Sequence, residues 1–245
     1  MLEQFLFTKE YRIEGRQVGP ENRLKPSALL WLFMETSEAH MNSLGWNHTR
    51  LVDEDMAFLI IHNKVSLKQI PQFGEEYTVE TAPIGNTGAQ FYRGFRLVGK
   101  DGVVGEMTQT SVLVNPHTHQ LQRPKNFYKL DIFPDVKVSS KWIVTAPETP
   151  EVLYPLGVRT IYYSDLDYNN HLNNTIYADI CMDFCADRLG GHEFSGMHIQ
   201  YIAEALLHDE VVIEGTSLPG GGFYCQGSHT RGLCFKAILQ KDDSH

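Results

Sequence analysis

The sequence has few cysteines and no C-x-x-C pair. All four lie in the last third of the chain: Cys181, Cys185, Cys225 and Cys234. Disulfide frameworks and zinc sites need regularly spaced thiols, so we expect four buried free thiols. His117 and His119 have no thiol or carboxylate at a metal-ligand spacing. We therefore expect neither a metal ion nor another cofactor.

The chain also lacks long apolar runs and excess positive charge. No stretch approaches the roughly 18 apolar residues of a membrane-spanning helix. The first residues alternate and carry charges, unlike a signal peptide, so we expect a cytoplasmic protein. A net charge of −9 argues against nucleic acid binding. Residues 1–140 hold 15 Lys and Arg against 16 Asp and Glu, and residues 141–245 hold 6 against 14, so an acidic partner should dock on the first part.

The first half predicts a strand, a long helix and an antiparallel meander. Residues 5–13 alternate as in a strand. A helix should begin at Pro26 and end near Leu44 and Gly45, because its apolar residues recur at helical spacing. Four strand-like runs follow, at 57–67, 76–81, 90–98 and 103–114, and Asp101-Gly102 favours a hairpin between the last two.

The second half repeats this order after a proline-rich stretch from 115 to 150. A strand over 158–163 and a helix from Thr175 to Leu189 come first. Four strands follow, at 198–203, 211–217, 223–228 and 233–240. Both predicted helices end in Leu-Gly, and such a repeat indicates a duplicated domain.

The stretch from Ser164 to Asn174 contains two Asp, four Asn and one His. If it is extended, Asp167, Asn169 and His171 point to one face, where a helix begins. Unpaired N–H groups at a helix start favour developing negative charge, which suits catalysis. An Asx-rich turn with a helix N-cap is the alternative. The residues by themselves leave both interpretations open.

The first copy lacks this polar set. When Leu24 is aligned with Leu172, the residues corresponding to the acid, amide and imidazole are Gly19, Glu21 and Arg23. The simplest hypothesis is one active site, in the second copy, with the first copy shaping a substrate cavity.

The run from Asp165 to Asn174 resembles the D-L-D-x-N-x-H-x-N-N signature of acyl-acyl-carrier-protein (acyl-ACP) thioesterases, and the element order resembles that family over nearly the whole chain. The resemblance implies an α+β tandem (double) hotdog fold, with two antiparallel sheets each wrapping a long helix. We expect an N-terminal hotdog with the substrate cavity over 1–125, a linker over 126–152 and a catalytic C-terminal hotdog over 153–245.

A second signal is Glu204, a carboxylate in a stretch expected to be a mainly buried strand. From the residues alone, it would be an edge charge facing water. The resembled family has a catalytic Glu in a Y-x-x-E context, which Tyr201 and Glu204 match. Some members continue with a cysteine once proposed as the nucleophile, whereas this chain has Ala205. This difference favours a route through water.

The resemblance implies a catalytic set of Asp167, Asn169, His171 and Glu204. Glu204, with a pKa raised by burial, would act as general base on water, although direct attack by its carboxylate stays open. His171 would pass a proton to the leaving thiolate and Asp167 would orient its imidazole. Asn169 would hold water or the carbonyl oxygen, and N–H groups at the start of the Thr175 helix would stabilise the oxyanion.

The function implied is hydrolysis of fatty acyl-ACP to free fatty acid and holo-ACP, in fatty acid biosynthesis. The partner would be an acyl carrier protein bearing its acyl-phosphopantetheine, docking on basic residues of the first part. Candidates are Arg93, Arg96, Arg123, Lys125, Lys129 and Lys137.

An acyl-CoA thioesterase of the same fold, a hotdog dehydratase and a non-catalytic acyl-binding module are the alternatives. A monomer and a homodimer both stay open.

Overall fold

The computed structural model describes residues 3–189, 191 and 194–241. Its α-helices span Pro26–Ser43 (α1), His48–Asp53 (α2), Pro124–Tyr128 (α3) and Ile176–Cys185 (α4). Its strands span Phe7–Arg12 (β1), Ala57–Leu67 (β2), Glu76–Thr87 (β3), Gln90–Gly99 (β4), Gly102–Val114 (β5), Tyr154–Thr160 (β6), Gly196–Tyr201 (β7), Glu210–Ser217 (β8), Phe223–His229 (β9) and Gly232–Gln240 (β10). Within these described ranges, no helix is long and apolar enough to span a bilayer.

The chain packs into two compact units. Unit 1 comprises residues up to 12, 32–63 and 76–145, and unit 2 comprises 13–31, 64–75 and the chain from 146 onward. Both α1 and β2 therefore begin in one unit and end in the other. The contiguous boundaries that we expected from the sequence stay a prediction.

Antiparallel pairing dominates each unit. In unit 1, β3 pairs with β1 and β4, and β4 pairs with β5. In unit 2, the antiparallel order is β7-β10-β9-β8-β6. Strand β2, whose residues are divided between the units, has β5 and β7 as its neighbours in the strand order. The finer expectation, two antiparallel sheets that each wrap a long helix, stays a prediction.

Most predicted elements are present, and the differences lie at their ends. The helix at Pro26 and the strand over 57–67 have the expected bounds, and β4 and β5 form the expected hairpin. The strand expected over 158–163 instead covers Tyr154–Thr160, because a 3-10 turn occupies Tyr163–Asp165. The second helix ends at Cys185 and continues as a 3-10 turn to Leu189. Gly190, expected just beyond it, lies outside the described residues.

Unit 1 contains a partly open cavity beside its hydrophobic core. The core cluster includes Leu51, Leu113, Phe127 and Phe133. Gly85, with φ of 120°, lets the segment around Val136 pack closely against β3, where a Cβ would lie 2.5 Å from the Val136 carbonyl oxygen. Only glycine fits this combination of close approach and left-handed backbone. The cavity wall therefore depends on a backbone contact at Gly85.

The internal repeat is visible in the backbone hydrogen bonds of unit 2. Gly19 N–H donates to the Arg23 carbonyl at 2.8 Å, and Asp167 N–H donates to the His171 carbonyl at 2.8 Å. Both loops are also closed by an antiparallel bridge, between Val18 and Leu24 in the first copy and between Leu166 and Leu172 in the second. The copies thus share a loop conformation as well as an element order.

Candidate active site

The loop from Asp167 to His171 is a tight turn. Asp167 Oδ1 accepts hydrogen bonds from the N–H groups of Asn169 at 2.8 Å and His171 at 3.2 Å. Asn170 has a positive φ of 63°, a conformation that Asn tolerates. The segment does not adopt the extended conformation that would point Asp167, Asn169 and His171 to one face, because the Asp167 side chain draws the following backbone into an Asx turn. The Asp167 carboxylate therefore fixes the position of the His171 backbone.

Asp165, the first acid of the signature, is a buried anchor. Its Oδ1 accepts from Arg159 Nη2 at 2.7 Å, and its Oδ2 accepts from the Tyr162 N–H at 2.9 Å. Its carbonyl accepts from the Asn173 N–H at 2.9 Å. The ion pair compensates the burial of this carboxylate and fixes both ends of the loop.

Asn173 satisfies the first N–H groups of the helix region. Its Oδ1 accepts from the N–H and the hydroxyl of Thr175, both at 2.9 Å, and its carbonyl accepts from the Ile176 N–H at 2.9 Å. Asn173 therefore forms an Asx turn before the helix, whereas the N-cap residue itself is Thr175, whose side chain makes no capping hydrogen bond. The N–H groups of Thr175 and Ile176 are consequently occupied, so the expected oxyanion donors are not these two.

Glu204 lies in a loop beyond β7. The strand ends at Tyr201, because the next two N–H groups, of Ile202 and Ala203, both turn to the Cys234 carbonyl and interrupt the regular ladder. The Glu204 side chain is 53% exposed. The expectation of a buried strand position is therefore wrong, and water reaches this carboxylate directly.

The fold nevertheless brings His171 and Glu204 together. A bridge between His171 and Leu206 aligns the two loops, and the Leu172 N–H donates to the Ala205 carbonyl at 2.8 Å. His171 Nε2 lies 3.9 Å from Glu204 Oε2, with the imidazole 38% exposed. This separation is too long for a direct hydrogen bond. Asn169 is exposed on the same turn.

Three residues that the sequence did not indicate as site residues hold the loop that carries Glu204. His229 Nε2 lies 3.0 Å from the Glu204 carbonyl oxygen, and Arg231 Nη2 donates to it at 3.4 Å. Arg231 forms a bidentate ion pair with Asp209 at 2.9 and 2.5 Å, which lowers the pKa of the Asp209 carboxyl. Asp209 Oδ2 also accepts the Leu206 N–H at 2.7 Å. We call Asp209, His229 and Arg231 the Glu204 clamp.

A buried tyrosine lies beneath these loops. Tyr177 packs edge to face against Tyr201 and Phe235, with both ring centroids 5.3 Å away. Burial raises the pKa of its hydroxyl, so it stays protonated. The Tyr201 hydroxyl donates to the Asn174 carbonyl at 2.9 Å. The helical stripe had indicated Tyr177 as a core residue, and its burial confirms this.

All four cysteines are free and buried, as predicted. Burial raises the pKa of Cys234 to about 11, so its thiol is protonated at neutral pH. A hydrogen bond with Cys181 and burial raise the pKa of Cys225 well above the usual value. In the ranges that the structure describes, no three His, Cys, Asp or Glu residues are grouped as in a metal site.

Two of the six basic docking candidates are engaged elsewhere in unit 1. Arg93 lines the cavity and is half-buried, so little of it is available to a docking partner. Arg96 lies between Glu80 and Glu106, at 3.5 and 3.7 Å. The remaining four are exposed: Arg123, Lys125, Lys129 and Lys137.

Comparison with known proteins gives consistent matches over both halves. Residues 4–129 match the acyl-ACP thioesterase N-terminal domain and residues 155–242 match the C-terminal domain. A chloroplastic dodecanoyl-[acyl-carrier-protein] hydrolase from Cinnamomum camphora is 24% identical over 96% of this chain and 64% of its own length. A similar hydrolase from Umbellularia californica is 25% identical over 98% and 65%. The chain thus spans just under two thirds of these curated relatives.

Two solved structures share the fold. An acyl-ACP thioesterase from Bacteroides thetaiotaomicron superposes with a TM-score of 0.80 at 18% identity, covering 97% of this chain and 98% of that one. A 12:0-ACP thioesterase from Umbellularia californica gives 0.79 at 20% identity, covering 96% of each chain.

Proposed function

The chain belongs to the acyl-ACP thioesterase family, and from this premise we propose that it hydrolyses fatty acyl-ACP to free fatty acid and holo-ACP in fatty acid biosynthesis. The observation that carries the proposal is the approach of His171 Nε2 to within 3.9 Å of Glu204 Oε2, on a loop with the family's signature. An acid and an imidazole open to water form a pair that can move protons at a thioester.

Glu204 acts as the general base. It takes a proton from water as the water oxygen bonds to the thioester carbonyl carbon, giving a tetrahedral intermediate. Collapse of the intermediate breaks the carbon–sulfur bond, and the proton that Glu204 took from water passes through His171 to the departing thiolate, which leaves Glu204 ionised again. The exposure of Glu204 supports a route through water. Direct attack by the carboxylate would form an acyl-enzyme anhydride, which water would then hydrolyse.

Asp167 and Asn169 support this pair from the turn. Asp167 Oδ1 accepts a hydrogen bond from the His171 N–H and so fixes the backbone that carries the imidazole. The Asn169 amide, exposed on the same turn, provides a donor for the carbonyl oxygen or for the attacking water.

The two sequence copies would form two tandem hotdog modules, with the acyl chain held by the cavity of unit 1. That cavity lies in the copy without the polar set and has aromatic walls, which supports this division of roles. The cytoplasmic location and the choice between monomer and homodimer stay predictions.

The test is release of free thiol from purified acyl-ACP, with acyl-CoA and acyl-pantetheine of equal chain length in parallel. His171→Ala should abolish most of the release, whereas Arg23→Ala, at the equivalent place in the first copy, should retain it. Binding without release by the wild type would identify an acyl-binding module. Equal turnover of acyl-CoA and acyl-ACP would assign the enzyme to both carriers and contradict the proposed one.

A further inference from the structure

The unit 1 cavity is small and largely apolar. Its walls include Met41, Leu51, Phe58, Phe91 and Phe127. Its volume is about 130 Å³. An engineered cavity of about 150 Å³ in another protein admits benzene, so this one holds a chain segment of about six carbons. Apolar walls alone would suit an unsubstituted hydrocarbon chain.

Arg93, on β4, places a cation in this apolar setting. Its Nη1 lies 3.2 Å from His40 Nδ1 and donates to Thr81 Oγ1 at 3.4 Å, and its Nη2 lies 3.8 Å from Met41 Sδ. The Phe133 ring centroid is 5.9 Å from the guanidinium carbon. All these neighbours are neutral, and in the described part of the chain no carboxylate forms an ion pair with Arg93.

The Arg93 side chain is half-buried, and a guanidinium withdrawn from water without a counter-ion is costly. Arg96, three residues further along the same strand, has two glutamates within 3.7 Å. Burial lowers the pKa of Arg93 to about 10, which still leaves it protonated at neutral pH. Burial and the charge of Arg93 lower the pKa of His40 to about 4, so the histidine is neutral and supplies only a lone pair.

The guanidinium also has more donors than these neighbours use. It carries five N–H groups, and a thioether is a weak acceptor. Ser37, Gln109 and Ser111 add further polar groups to the same wall. An unsubstituted fatty acyl chain offers no oxygen at this depth, so when it displaces water from the cavity it would leave the remaining donors without an acceptor.

We propose that this cavity selects acyl chains with a hydrogen-bond-accepting oxygen on the part that enters it, and that Arg93 binds that oxygen. A carboxylate is the best match, because it supplies the missing counter-charge and fits the guanidinium fork. A hydroxyl or keto oxygen satisfies the donors without the charge. The inference rests on the proposed thioesterase activity and defines its substrate class.

The experiment compares acyl-ACPs of matched length in unsubstituted, ω-hydroxy and ω-carboxy forms, over a series of lengths. Each is assayed with the wild type, Arg93→Met and Arg93→Lys, and Arg96→Met is the control for loss of an arginine from the same strand. Thermal stabilisation by the corresponding free acids gives a readout that needs no turnover.

At its best chain length, the wild type should hydrolyse an oxygenated chain with a kcat/KM at least about 10-fold above that for the plain chain. This factor corresponds to the free energy of one charge-assisted hydrogen bond. Arg93→Met should remove this preference and Arg93→Lys should keep part of it, while Arg96→Met should leave it unchanged. Preference of the wild type for the plain chain would overturn the proposal even if Arg93→Met does not fold. An unchanged ratio in folded Arg93→Met would also overturn it.

The two proposals fail separately. If no acyl-ACP is hydrolysed but a dicarboxylic acid stabilises the wild type and not Arg93→Met, the oxygen subsite stands and the thioesterase proposal falls. If plain acyl-ACP is hydrolysed with no role for Arg93, the reverse holds.

Discussion

Leu24 and Leu172 occupy equivalent positions in two copies of one backbone arrangement. The N–H of each donates over 2.8 Å to a carbonyl of a distant loop, that of Pro71 for Leu24 and that of Ala205 for Leu172. The same correspondence places Ile70 opposite Glu204. The first copy therefore keeps the scaffold of the site but lacks both members of the proposed catalytic pair.

Glu204→Ala and His171→Ala should each lower kcat by about 100- to 10,000-fold, the range of general acid–base catalysis, with a smaller effect on KM. Because the two act as one unit, the double variant should lose much less than the product of the single losses. Steady-state kinetics with acyl-ACP measure this. Glu21→Ala and Arg23→Ala, from the first copy, are the controls. Wild-type turnover by folded Glu204→Ala would eliminate the mechanism.

Arg231→Met should lower kcat by about 10-fold without a matching rise in KM, because it releases the Glu204 carbonyl from the clamp. Arg231→Lys should recover part of the activity, and Arg188→Met, at an exposed arginine, should have no effect. In a Glu204→Ala background, Arg231→Met should cost nothing further. A full additional loss there would mean that Arg231 does not act through Glu204.

A variant with all four cysteines replaced by alanine should keep kcat within a few fold of the wild type. Its thermal stability should fall, because all four side chains are buried. Circular dichroism and thiol release, assayed side by side, separate folding from chemistry. If the cysteine-free protein is folded and inactive while Cys234→Ala alone is also inactive, a thiol mechanism replaces the one proposed.

Charge reversal of Arg123, Lys125, Lys129 and Lys137 should raise KM for acyl-ACP and make the remaining activity less sensitive to salt. Turnover of acyl-pantetheine should not change, since it has no protein carrier. The matched control reverses four exposed basic residues of unit 2: Arg16, Lys25, Lys68 and Arg188. An equal rise in KM from the control set would locate the docking surface elsewhere.

His40 should make the folded state sensitive to mild acid. The pKa of His40 is about 4 in the folded protein and 6.5 in the unfolded chain, so between pH 4 and pH 6.5 the unfolded chain binds more protons than the folded protein. Stability is then fully present above pH 6.5 and decreases by up to about 3 kcal/mol as pH falls towards 4. Urea unfolding across this window should show a shallower decrease for His40→Gln than for the wild type. The exposed His117→Gln should match the wild type, and a His40→Gln curve parallel to it would refute the assignment.

The residues that form the candidate site could be named from the sequence, but their arrangement could not. Asp167 and His171 are four residues apart, so their turn is a local property. The residue pattern left both an extended segment and an Asx turn open, because such a pattern does not show whether a side chain takes the backbone N–H groups, as Asp167 Oδ1 does. Glu204 was expected in a mainly buried strand but lies in an exposed loop, since its burial depends on where β10 stops pairing with β7.

The order of elements, the duplication, the free thiols and the restriction of the polar set to one copy were determined by the sequence itself. Each follows from periodicity, composition or a motif within a few neighbouring residues. Only the tertiary structure decided that Arg93 enters a cavity, that water reaches Glu204, and that Asp209, His229 and Arg231 hold its backbone. These depend on contacts between residues far apart in the chain, and local patterns carry no information about which distant groups a fold brings within hydrogen-bonding distance.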